Sequence, residues 1–222
     1  MTAPRQGPRG FTFLEVLVAM AITAVMGVML LGAYRQVDHV AELARDQGDR
    51  FAGARLGLSR LSREVSMAFL SERYDHARFS GGRPTLFLGK EDDLLFTTLA
   101  HQRLARDARE SDQSVVEYTL EPDPDHAGEK ALFRREKDRL DEEPDRGGRK
   151  DLLADHLTAL RFQYYDPKKE DWVREWSTRS IDHTNDLPSR VRFELELELA
   201  DGRTEKLSTE ARIALVHPLG DY

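Results

Sequence analysis

Residues 11–34 read FTFLEVLVAMAITAVMGVMLLGAY, an apolar run in which Glu15 alone is charged. As a helix rising about 1.5 Å per residue it would be roughly 36 Å long, enough to cross the hydrocarbon layer of a membrane. Met1–Gly10 carries Arg5 and Arg9 and no acid, so the positive-inside rule keeps it cytoplasmic and exports whatever follows Tyr34. A cleavable secretory signal would have a shorter apolar core with small residues at a cut beyond it. A plain signal anchor on an unrelated domain is the alternative, and Glu15 opposes it. A carboxylate inside a membrane helix costs several kcal/mol unless it is neutralised, paired or close to the interface.

Beyond Tyr34 the chain becomes charged but keeps a helical period. Phe51, Ala54, Leu58, Leu61, Val65 and Ala68 recur every three or four positions, while Arg50, Arg55, Arg60, Arg63 and Glu64 read as the opposite, polar face. One helix from about Phe11 to about Phe69 is the economical reading, with Gly48, Gly53 and Gly57 as its weakest points. From Ser80 the pattern turns to strands. Gly81, Gly82 and Pro84 mark a break; Leu86–Leu88 and Leu94–Leu99 flank the acidic turn at Glu91, Asp92 and Asp93. Ser114–Leu120 and Ala131–Arg135 read as a hairpin around Pro122, Pro124 and Gly128, and Asp141–Lys150 as a mobile surface loop. Leu160–Asp166 alternates as a strand. Arg190–Ala200 is the clearest strand, with Val191, Phe193, Leu195, Leu197 and Leu199 on one face, and Asp201-Gly202 turns it tightly into Arg203–Val216. The expected fold is α+β: a long N-terminal helix, transmembrane in its first half and amphipathic in its second, packed on a mostly antiparallel β-sheet head. The expected divisions are 1–10, 11–34, 35–79 and 80–222.

Composition narrows function by exclusion. The 222 residues carry a net charge of −7, which argues against a nucleic-acid binder. No cysteine is present, which removes disulfides and thiolate metal sites. No nucleophile elbow, phosphate loop or dinucleotide fingerprint is found, so no catalytic residue and no cofactor site is expected. His39, His76, His101, His126, His156, His183 and His217 are scattered, with no pair at helical metal-binding spacing, and no metal ligand is assigned. Glu121, Asp123, Asp125 and Glu129 offer carboxylates to calcium, but two prolines and an incomplete ligand ladder favour a solvated acidic loop. Trp172 and Trp176 read as core or loop-cap residues rather than a partner hot spot.

Around Gly10 the sequence RGFTFLEVLVAM resembles the processing site of type IV pilins and type II secretion pseudopilins. The resemblance implies that a membrane prepilin peptidase cuts after Gly10 and that the new terminal Phe11 is N-methylated. Glu15 then stands fifth, where it can pair with the Phe11 amine of a neighbouring subunit and set the axial register, a specificity device more than a source of net stability. The proline common in the helix of major pilins is absent, so the helix is expected to be straighter, or to melt at Gly27. Three further stretches, RLGLSRLSREVSMA, LLADHLTALRFQYYDPKKEDWVREW and LPSRVRFELELELADGR, look in their order like the protein J family of minor pseudopilins.

That resemblance implies a pilin-like fold and a structural subunit at the tip of a periplasmic pseudopilus, priming its growth for export of folded proteins across the outer membrane. Implied partners are sibling minor pseudopilins of the protein I and K types, the major pseudopilin, the peptidase and an inner-membrane assembly platform. The expected location is the bacterial inner membrane, crossed once, with the leader cytoplasmic and the head periplasmic. Phe13, Leu14, Val16, Leu17, Val18, Met20, Ala21 and Val25 would pack between subunit helices. A minor pilin priming a type IV pilus is the related alternative; a membrane-tethered periplasmic enzyme is the distant one.

Overall fold

The computed structural model describes residues 11–71, 85–102, 111–126, 128–217 and 219, in two compact units, Met1–Asp46 and Gln47–Tyr222. The expected leader with Gly10, His76, and the break at Gly81, Gly82 and Pro84 lie outside the described residues.

Helix α1 spans Phe13–Ser66 without interruption. It contains no proline, and neither Gly27 nor the four later glycines open it. The helix stops about three residues before Phe69 because the sheet captures the backbone there. Met67 and Ala68 donate to the carbonyls of Glu64 and Val65 in a tightened last turn, and Phe69 N–H donates to Thr97 O at 3.2 Å. Thr98 Oγ1 takes up the Glu64 carbonyl at 2.8 Å. These bonds satisfy carbonyls that a helix end leaves orphaned.

In the first unit, the described part of α1 presents its apolar residues outward along the whole length. The second unit has its own core. Among the described residues its strands are β1 (Phe87–Gly89), β2 (Asp93–Thr98), β3 (Ser114–Pro122), β4 (Lys130–Lys137), β5 (Arg149–Asp166), β6 (Asp171–Val173), β7 (Trp176–Ser177), β8 (Arg190–Glu198) and β9 (Thr204–Arg212). They form one antiparallel sheet in the order β7-β1-β2-β3-β4-β5-β8-β9, with β6 also on β5. Alternation decides which face is buried. Val191, Phe193, Leu195 and Leu197 of β8 and Leu160, Phe162 and Tyr164 of β5 point inward and meet Ala54, Leu58, Leu61 and Val65 of α1. Gly57 makes that approach close: a Cβ there would sit 3.2 Å from Leu132 Cδ2.

Several expectations are extended. Strand β5 begins at Arg149, eleven residues before Leu160, taking in the end of the expected loop. That loop is stitched: Arg135 donates to the carbonyls of Pro144 and Gly147, each at 3.0 Å. Trp176 is buried, stacks on His183 and donates to Asp186 O at 2.9 Å. Trp172 is half-buried on the sheet surface, with the Arg192 guanidinium 4.1 Å above its ring.

Candidate functional site

The N-terminal site is built on the first turn of α1. Thr12 precedes the helix, and Glu15 N–H donates to Thr12 Oγ1 at 3.3 Å. Thr12 N–H reaches back to Glu15 Oε2 at 3.5 Å. Thr-Phe-Leu-Glu is thus a capping box, which satisfies two otherwise orphaned N–H groups. The T-x-x-E spacing is in the sequence and signals this second role for Glu15 beside the charge itself.

Phe11 is 85% exposed. Phe11, Glu15, Ala19 and Thr23 lie four apart and share a stripe of the helix, flanked by Val16 and Met20. Among the described residues Glu15 meets no cation. The expected packing residues Phe13, Leu14, Val16, Leu17, Val18, Met20, Ala21 and Val25 are all exposed. The described residues offer them no partner, so this apolar surface is left to lipid or another helix.

A second assembly of polar residues anchors the end of α1 to the sheet, and here one expectation is corrected. Glu64 belongs to the buried side, not the polar face. It accepts from Arg134 Nε at 2.9 Å, from Tyr118 Oη at 2.6 Å and from Arg60 Nε at 3.1 Å. Arg134 also donates to Glu136 Oε2 at 2.8 Å, and His101 Nδ1 lies 2.8 Å from Glu136 Oε1. Burial alone would weaken the Arg134 charge, but its bonds to Glu136 and Glu64 raise its pKa above the ordinary value. Burial and the Glu64 charge push the Tyr118 phenol well up. Removing one partner of such a network would strand the other charge, at a cost of about 3–5 kcal/mol. The network fixes the helix on the sheet.

The fold also gathers residues that sequence spacing had separated. His126, Glu129 and His156 place ligand atoms within 4.8 Å of one another. No local spacing shows this, because His156 arrives from β5. Glu121 is held instead by Thr119 and Lys150, and the acidic run does not converge as a carboxylate cage.

Comparison with known proteins places these features. A family model described as Type II secretion system (T2SS), protein J matches residues 32–207. The chain belongs to that family. It is a minor pseudopilin, a structural subunit of the type II secretion machinery, and the type IV pilus alternative is not favoured. A second model, the prokaryotic N-terminal methylation motif, matches residues 5–31. Together with a helix long and apolar enough to cross a membrane, it marks this protein J family member as membrane-anchored. No curated relative matches. Among solved structures, a chain of the GspK-GspI-GspJ complex from enterotoxigenic Escherichia coli aligns at 18% identity with a TM-score of 0.47. The alignment covers 73% of this chain and 97% of that one.

Proposed function

We propose that this minor pseudopilin works by helix-to-helix association at the tip of a pseudopilus, and that Phe11 and Glu15 carry its registration there. The observation behind this reading is the apolar surface of residues 13–34, exposed among the described residues and interrupted by one carboxylate four residues from Phe11. In this reading the prepilin peptidase cuts after Gly10 and the new amine of Phe11 is N-methylated. The residues before Phe11 stay cytoplasmic, α1 crosses the inner membrane, and the sheet lies in the periplasm.

The free amine of one subunit and Glu15 of the next then neutralise each other in a site where either charge alone is costly. Phe13, Leu14, Val16, Leu17, Val18, Met20, Ala21 and Val25 supply the van der Waals fit around that pair. Siblings of the protein I and K types and the major pseudopilin are the partners, and the tip primes a filament that exports folded proteins.

The capping box sharpens the test. Glu15→Gln keeps an acceptor able to close the box and removes only the charge, whereas Glu15→Ala removes both. Both variants are expected to be cleaved normally and to lose co-purification with the sibling subunits from solubilised membranes. If Glu15→Gln assembles like the wild type, capping is the role of Glu15 and the charge pair is wrong.

A further inference from the structure

We propose that His126, Glu129 and His156 form a binding site for a divalent zinc-class cation, with Zn2+ as its ligand. The ligands come from two elements thirty residues apart in sequence. The first is the loop between β3 and β4, which is closed on itself. Asp123 N–H donates to Glu129 O at 3.0 Å, Glu129 N–H to His126 O at 3.2 Å, and Asp125 N–H to Asp123 Oδ1 at 2.8 Å.

The second element is a bulge in β5. Lys130 pairs with Leu157 and Leu132 with Ala154, so Ala131 alone faces both Asp155 and His156. His156 sits there at φ 53°, a left-handed conformation that a bulky side chain keeps only where its surroundings hold it. Bulges re-aim side chains, and this one brings His156 Nδ1 against Glu129 Oε2.

The imidazoles are 4.7 Å apart between ring centres. Asp123, whose side chain is 1% exposed, places Oδ2 3.2 Å from His126 Nδ1. That contact orients the ring and leaves Nε2 as its free donor, an arrangement in which a carboxylate fixes a metal-binding histidine from behind. Zinc bonds of about 2.0–2.2 Å put tetrahedral donors about 3.3–3.6 Å apart. The present 4.8 Å limit therefore closes with roughly an ångström of movement in the side chains of His126 and Glu129.

The donor chemistry selects the metal. Two imidazoles and one carboxylate suit zinc. Calcium seeks six to eight oxygens, whereas the cluster among the described residues offers one carboxylate beside two imidazoles. Half-exposed His126 leaves a fourth position for water. A bound ion would clip the β3–β4 loop to β5.

The test is calorimetric titration of ZnCl2 into the full chain in detergent, with any affinity tag removed, followed by Co2+ as an optical probe. One equivalent is expected to bind, with a tetrahedral Co2+ spectrum and a rise in the thermal midpoint. His126→Gln and His156→Asn should each weaken binding about tenfold or more; asparagine tolerates the left-handed backbone, so the bulge is kept. Glu121→Gln, in the same acidic run, should bind as the wild type does. Far-UV circular dichroism confirms that each variant is folded. No saturable binding, or an affinity unchanged in both histidine variants, overturns the site, as does an equal loss in Glu121→Gln.

Discussion

Glu136 stands between Arg134 and His101, and its carboxyl shows how one residue couples the end of α1 to acidity. Burial would raise its pKa, but the hydrogen bonds and charges of Arg134 and His101 hold it at about 2, against an ordinary 4.5. A depressed carboxyl contributes stability that is fully present above its unfolded value and lost as pH falls through the folded one. The contribution is about 2 kcal/mol once solvent screening at this half-buried position is allowed for. Glu136→Gln is therefore expected to cost about that much at pH 7 and progressively less between pH 4.5 and 2. Urea unfolding followed by the fluorescence of buried Trp176 reads the difference. A gap between variant and wild type that stays constant down to the acid end would show that the network does not depend on that charge.

At the scale of elements, α1 owes its packing to where side chains are missing as much as to where they are present. Gly57 faces Leu132 and Leu153, whereas a Cβ at Gly48 would meet nothing within 4 Å. Gly57→Val should destabilise the second unit by about 1–3 kcal/mol through overpacking. Gly48→Ala should stabilise it by about 0.5–1 kcal/mol by restricting the unfolded chain and favouring the helix. Thermal unfolding of the two variants separates them, and a neutral Gly57→Val would show that the interface yields.

The same elements show what sequence could reveal. The stripe from Ala54 to Val65 and the alternation of β8 were legible because each buries one face at its own period. Glu64 was not: it lies three after Leu61 and four before Ala68, on the stripe, but its charge read as outward-facing until Arg134 supplied a buried partner. The first half of β5 was hidden because the bulge at His156 breaks the alternation, and β6 and β7 are too short to show a period. At the N-terminus the T-x-x-E spacing stands in the sequence, yet the capping role of Glu15 was passed over in favour of its charge. The pairing of His126 with His156 depends on a bulge that no local pattern announces.

For the molecule as a whole, the boundary between Asp46 and Gln47 separates two kinds of stability. In the second unit, Ala54, Leu58, Leu61 and Val65 bury themselves against strands of the same unit, and no described residue before Gln47 belongs to that core. In the first, the apolar side chains from Phe13 to Tyr34 are exposed, and their burial is left to lipid or to other subunits. Contiguous apolar surface on this scale drives association in water. A fragment comprising residues 47–222 is therefore expected to be monomeric in plain buffer by gel filtration, while the full chain requires detergent or lipid to remain dispersed. With one closed core the fragment should unfold in one cooperative transition, with a midpoint within about 2–4 °C of the full chain's, a shift worth about 1 kcal/mol at this length. A fragment that lacks a cooperative transition would mean that residues before Gln47 complete the core, and the division at Asp46 would be wrong.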